Sequence, residues 1–66
     1  MLNQIKVERA RKNITQTDLA NAVNVSRQTI NAIELGKFVP STTLSLKIAA
    51  YFEVQVEDIF QLEDTD

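Results

Sequence analysis

Apolar residues recur at intervals of three and four along most of this chain, which is the spacing of one face of an α-helix. Capping residues and turn formers between these runs predict five short helices. Asn3 can cap the first helix, which ends before Ile14. Thr15 caps the second and, with Asp18 three residues later, approximates a capping box. The apolar residues expected on the inner sides of these two helices are Ile5, Val7, Ala10, Leu19, Ala20 and Val23.

The third helix is bounded by a turn residue and a cap. Asn24 tolerates the left-handed backbone that ends a helix, and Ser26 can cap the helix that follows. Ile30 and Ile33 are then spaced to face inward together. The sequence therefore predicts a helix over Arg27–Leu35.

The second half of the chain predicts a loop and two more helices. Gly36 takes the position after a helix that glycine favours, and Pro40 disfavours helix in the residue before it. Ser41 opens a fourth helix, and a fifth short helix is expected near Val56–Gln61. The fourth helix carries Leu44, Leu46, Ile48, Ala49 and Phe52. We expect an all-α protein with a single domain over residues 1–66.

The composition excludes most enzyme chemistry. Cysteine and histidine are both absent, which removes disulfides, thiolate metal sites, Cys/His nucleophile pairs and any imidazole base. The single glycine leaves no glycine-rich phosphate loop, and the acidic residues near the C-terminus lack the spacing of a calcium loop. We therefore expect no enzymatic activity, no metal and no cofactor.

The sequence also lacks the features of a membrane or secreted protein. No apolar run approaches the roughly 20 residues that span a bilayer. The first residues lack the basic-then-apolar order and the small-residue cleavage site of a signal peptide. These observations favour a cytoplasmic protein.

The net charge of −2 conceals an uneven distribution along the chain. Residues 1–40 contain six basic and three acidic side chains, which gives +3. Residues 41–66 contain one basic and six acidic side chains, which gives −5. Such asymmetry is expected of a protein with one DNA-facing side, although ordinary surface solvation also accounts for it.

The most informative stretch is QTDLANAVNVSRQTINAIEL, residues 16–35. Ala20 leaves room where two helices cross closely, and Asn24 suits a turn that needs a positive φ. These are the demands of two helices joined by a short turn at a steep angle. The apolar positions that complete the pattern are Leu19, Val23, Val25, Ile30 and Ile33.

The continuous segment TQTDLANAVNVSRQTINAIELGKFVPS resembles the Cro and phage-repressor family of helix-turn-helix regulators, the XRE type. The resemblance extends over nearly the whole chain, since Arg9, Pro40 and the final segment VQVEDIF also fit it. It implies a λ-repressor-like fold of five helices, with the third in the major groove of double-stranded DNA. It also implies a two-fold homodimer without a small-molecule ligand, in a bacterial cytoplasm or of phage origin.

The outer face of the third helix carries residues suited to contact base edges. With Ile30 and Ile33 turned inward, the opposite face shows a stripe of four residues. Arginine can bind guanine through two hydrogen bonds, glutamine and asparagine can bind adenine, and alanine can touch a thymine methyl. A polar outer face without a partner is the alternative. The four residues of this base-reading stripe are Arg27, Gln28, Asn31 and Ala32.

Contacts to the DNA backbone are expected from other positions. The resemblance implies that Gln16 lies against phosphate and that Lys37 is a phosphate-contacting loop lysine. Thr15, Ser26 and Thr29 offer hydroxyls or free amides near helix N-termini, which attract anions. Thr15 and Ser26 are equally explained as helix caps, and both roles can coexist.

Glu34 requires a separate explanation, because a carboxylate on a DNA-facing helix repels phosphate. The resemblance pairs a glutamate here with an arginine of the first helix, and Arg9 stands at the matching position. We therefore expect Arg9 and Glu34 to form an internal ion pair that joins two helices.

The last third of the chain contains more apolar surface than its two helices readily conceal. We expect part of it to meet a second copy across a two-fold axis, although all of it could be core. Met1–Leu2 and Leu62–Thr65 could also pair as a small antiparallel ribbon. The residues expected at the dimer interface are Phe52, Val54, Val56, Ile59, Phe60 and Leu62.

These features predict a dimeric transcriptional repressor that binds a palindromic operator with half-sites about one helical turn, roughly 34 Å, apart. An antitoxin or a restriction–modification controller of the same fold is one alternative. A protein-interaction module that has lost DNA binding is another, but the retained Arg27, Gln28 and Lys37 argue against it.

Overall fold

The computed structural model describes residues 1–66, which form five helices and one two-stranded antiparallel sheet. None of the helices combines the length and the apolar character needed to cross a bilayer. The helices are α1 (Ile5–Lys12), α2 (Gln16–Val23), α3 (Arg27–Glu34), α4 (Thr42–Phe52) and α5 (Val56–Ile59). The strands are β1 (Leu2–Asn3) and β2 (Phe60–Gln61). The predicted five-helix fold is confirmed.

Side-chain caps fix the start of the three central helices. The hydroxyls of Thr15, Ser26 and Ser41 each accept a hydrogen bond from the backbone N–H three residues further on. At α2 the cap is reciprocal, because the carboxylate of Asp18 accepts from the backbone N–H of Thr15 at 3.0 Å. The first helix begins one residue later than a cap at Asn3 implies.

Four helices end in the same way. The residue after the helix, or one further on, has a left-handed backbone, with φ of 57° at Asn13, 61° at Asn24, 75° at Gly36 and 59° at Glu53. The next residue then donates its N–H to a carbonyl five residues back, as Val25 does to Ala20 at 3.0 Å. This arrangement satisfies carbonyls that would otherwise lack a partner.

The core consists of twelve buried hydrophobic residues contributed by every helix. The prediction that Val7 and Ala10 face inward is wrong, because both side chains are exposed. The inner side of α1 is instead occupied by Ile5 and by the stem of Arg9, whose guanidinium reaches α3. The core residues are Ile5, Leu19, Ala20, Val23, Ile30, Ile33, Leu44, Ile48, Ala49, Phe52, Ile59 and Phe60.

The small sheet brings the two ends of the described chain together. Leu2 pairs with Gln61 and Asn3 with Phe60. The predicted ribbon therefore forms, but its register differs from a pairing of Met1–Leu2 with Leu62–Thr65. The fifth helix stops at Ile59 and not at Gln61, because Phe60 takes up an extended backbone to pair with β1.

Candidate nucleic-acid interface

The packing of α2 against α3 determines which face of α3 meets solvent. Ala20 of α2 is buried, and Asn24 has a positive φ in the turn between the two helices. Ile30 and Ile33 are fully buried beneath α3. Since these two side chains fix the inner face, the opposite face of α3 points away from the core.

The predicted base-reading stripe lies on this outer face. Arg27 and Gln28, in the first turn of α3, are exposed. Asn31 and Ala32, one turn further on, are half-buried. The structure therefore brings the four side chains to one surface, with donors, acceptors and a methyl group available together.

Gln16 joins this stripe from the start of α2. Its Nε2 donates to Oδ1 of Asn31 at 3.1 Å, and its Oε1 accepts from Nη1 of Arg27 at 3.5 Å, a long hydrogen bond. The sequence predicted a phosphate contact for Gln16 and gave no sign of this link. No local pattern could have predicted this hydrogen bond, because Gln16 and Asn31 are fifteen residues apart in sequence. The two side chains meet only because α2 packs against α3.

Two of the predicted phosphate contacts are engaged as helix caps. Oγ1 of Thr15 accepts from the backbone of Asp18 at 3.0 Å. Oγ of Ser26 accepts a hydrogen bond from the backbone N–H of Thr29 at 3.1 Å. It also forms a hydrogen bond with Oγ1 of Thr29 at 3.0 Å. These hydroxyls therefore have a structural role whether or not DNA is bound.

Lys37 lies just beyond α3, in the loop that leads to α4. Its backbone N–H donates to the carbonyl of Ala32 at 2.9 Å, which fixes the start of the loop. Its side chain is exposed and forms no salt bridge. The ammonium group is thus available to bind an anion beside α3.

Arg9 and Glu34 form a bidentate ion pair between α1 and α3. Nε of Arg9 lies 2.7 Å from Oε2 of Glu34, and Nη2 donates to Oε1 at 3.1 Å. Nη1 of Arg9 also donates to the carbonyl of Ile14 at 3.2 Å. The hydrogen bonds to Glu34 raise the pKa of the Arg9 guanidinium above its ordinary value. The negative charge that Glu34 adds to α3 is therefore neutralised within the chain.

The structure changes the set of residues that could form a dimer interface. Phe52, Ile59 and Phe60 are only 5%, 1% and 7% exposed, because they fill the core of the single chain. Their assignment to an interface is corrected, since they have almost no surface left to offer a partner. Of the other predicted interface residues, Val54 and Val56 are half-buried and Leu62 is exposed.

An exposed apolar surface that the sequence analysis missed lies at the start of α4. Val39 and Leu46 are 59% and 56% exposed, and with Val56 they line one open groove. We call this surface the α4 groove. Leu46 falls within the apolar run of α4, so its exposure depends on how α5 packs against α4 and could not be inferred from periodicity alone.

Comparison with known proteins defines the class of this protein. Residues 5–59 match the helix-turn-helix family, and the chain belongs to that family. It is a family of transcriptional regulators and not of enzymes.

Three relatives match over nearly their whole length. An HTH-type transcriptional regulator of Methanocaldococcus jannaschii is 54% identical over 66 residues, which cover 100% of both chains. The HTH-type transcriptional regulator YgzD of Bacillus subtilis is 47% identical, with 97% of each chain covered. An HTH-type transcriptional regulator of Archaeoglobus fulgidus is 44% identical, with 100% of this chain and 93% of the relative covered.

Proposed function

We propose that this protein is a transcriptional regulator that binds double-stranded DNA in a sequence-specific manner, with α3 in the major groove. The observation that carries the proposal is the outward stripe on α3, opposite the buried Ile30 and Ile33. Arg27 has the geometry to bind the O6 and N7 acceptors of guanine. Gln28 and Asn31 offer amides for adenine, and Ala32 offers a methyl contact for thymine. The relatives' names as transcriptional regulators support this function.

Contacts to the sugar–phosphate backbone would hold α3 in register. Lys37 supplies an unpaired ammonium beyond the end of α3. The N-termini of α2 and α3, near Thr15, Gln16, Ser26 and Thr29, supply backbone N–H groups and the positive end of the helix dipole. Such contacts position the protein without selecting a sequence.

The functional unit in this proposal is a homodimer on a palindromic operator. One recognition helix contacts only a few base pairs, so a second copy across a two-fold axis doubles the recognised sequence. The α4 groove supports this arrangement, because it is an apolar surface that shares no residue with the base-reading stripe. A second copy would cover Val39 and Leu46 and add to the small core of a short chain.

Repression is the regulatory outcome that we propose. A dimer seated on an operator that overlaps a promoter excludes other proteins from the same DNA face. This outcome needs only tight binding in the cytoplasm and no cofactor.

Selection of bound duplexes from a random pool tests the proposal. The expected result is an enriched inverted repeat with half-site centres about one helical turn, roughly 34 Å, apart. Binding should also weaken steeply as salt rises, because several phosphates release counterions. Absence of enrichment at every salt concentration would overturn the proposal in favour of a protein-interaction module.

A further inference from the structure

A groove lined mainly by polar residues lies beside the base-reading stripe, between α1, the start of α2 and α3. Lys6 of α1, Gln16 of α2 and Asn31 of α3 all line this groove. Arg9 and Glu34 line it as well. The groove therefore continues directly from the base-reading stripe, since Asn31 belongs to both.

The charge of the groove depends on Lys6. The positive charge of Arg9 is matched by Glu34, because these two side chains form the bidentate pair described above. Lys6 is exposed and forms none of the salt bridges of the chain. Lys6 thus adds one positive charge without a salt-bridge partner to the lining of a groove that also includes Gln16 and Asn31.

When α3 lies in the major groove, the sugar–phosphate backbones of the duplex run along both sides of the helix. The major groove is about 12 Å wide, so a helix within it is flanked by phosphates on both sides. Lys37 lies beyond the C-terminal end of α3, whereas Lys6 approaches α3 from α1. The two lysines therefore approach the recognition helix from different elements.

We propose that this groove is a binding site for a phosphodiester group of the DNA backbone, with Lys6 as its cationic ligand. The inference rests on the proposed function and adds a contact from α1, outside the helix-turn-helix motif. An ammonium supplies a compact point charge with three donors, which suits a phosphate oxygen without demanding one fixed orientation. The contact should raise affinity for every sequence alike, because phosphates carry no sequence information.

The test compares Lys6→Ala with Lys47→Ala across a range of salt concentrations. Both changes remove one exposed positive charge, but Lys47 lies on α4 and does not line the groove. Affinity is measured on the selected operator and on a scrambled duplex. Lys6→Ala should reduce the steepness of log K against log salt by about 0.9 per bound subunit, which is about fivefold in affinity per subunit at physiological salt.

The ratio of operator affinity to scrambled affinity should stay unchanged in Lys6→Ala, and Lys6→Arg should keep the wild-type salt slope. Thermal unfolding of both variants checks that the fold is intact. One outcome would overturn this inference alone. In it, DNA binding by the wild-type protein weakens steeply as salt rises, but Lys6→Ala and Lys47→Ala have equal slopes of log K against log salt. A wild-type protein without salt-dependent duplex binding would overturn both this inference and the proposed function.

Discussion

At the residue scale, the contacts of Gln16 determine what Asn31 can offer to a base. Oδ1 of Asn31 already accepts a hydrogen bond from Gln16, whereas its Nδ2 donors are not committed to the protein. Asn31 in this orientation therefore favours an acceptor on the DNA, such as a purine N7. Gln16 therefore positions Asn31, a side chain that we propose contacts a base.

The Arg9–Glu34 pair predicts a large difference between two arginines of α1. Arg9→Ala should lower the free energy of unfolding by about 3–5 kcal/mol, because it leaves the carboxylate of Glu34 largely buried without a partner. Arg11→Ala is the matched control. It breaks only the pair with Glu8, in which Arg11 is 70% exposed, and should cost less than about 0.5 kcal/mol.

Chemical denaturation of both variants gives the comparison. Equal losses of stability in the two would mean that the Arg9–Glu34 pair contributes no more than an exposed pair. The sequence supplied this pair only through the family resemblance, since no helical periodicity relates two residues twenty-five positions apart.

At the element scale, residue type predicted the positive φ at some helix ends and not at others. Asn24 and Gly36 were expected in turns because both tolerate a positive φ, and both have one. Glu53 has no such preference, yet its φ is 59°. The turn from α4 to α5 imposes this conformation, as Val54 donates to the carbonyl of Ala49 at 3.0 Å.

The left-handed backbone of Glu53 predicts a stabilising substitution. Glu53→Gly should raise the free energy of unfolding by about 0.5–1 kcal/mol, because glycine removes the steric cost of a positive φ. Ala50→Gly introduces the same residue three positions earlier, on the exposed side of α4, and should cost about 1 kcal/mol. A loss of stability in both variants would show that Glu53 bears no strain.

Local patterns predicted helices better than they predicted which side chains face inward. The caps at Thr15, Ser26 and Ser41 gave the starts of α2, α3 and α4 from single residues and their neighbours. The extended backbone of Phe60 could not be inferred, because it depends on pairing with Asn3 at the other end of the chain. The errors at α1 and α5 therefore arise from long-range contacts.

At the scale of the whole molecule, the base-reading stripe and the α4 groove are separate surfaces. The stripe belongs to α3, whereas Val39, Leu46 and Val56 belong to the loop before α4, to α4 and to α5. The proposed contacts with DNA and with a second copy therefore use different residues. The excess of acidic residues lies after residue 40, outside the helix-turn-helix motif.

The α4 groove predicts that dimerisation is sensitive to one exposed leucine. Leu46→Glu should weaken self-association by at least about tenfold, because a carboxylate would be buried without a partner. Val7→Glu is the control, since Val7 is an exposed apolar residue of α1 that does not line the groove. Sedimentation velocity over a range of concentrations measures both. Unchanged association in Leu46→Glu would place the dimer interface elsewhere.

The most direct test of the account compares wild-type protein with Arg27→Ala on the selected operator and on a scrambled duplex at one salt concentration. Arg27 is exposed on α3, so its removal should leave the fold intact. The operator preference should fall by about 1–3 kcal/mol, with little change on the scrambled duplex. Retention of the full operator preference by Arg27→Ala would contradict the claim that the outward face of α3 contacts the bases.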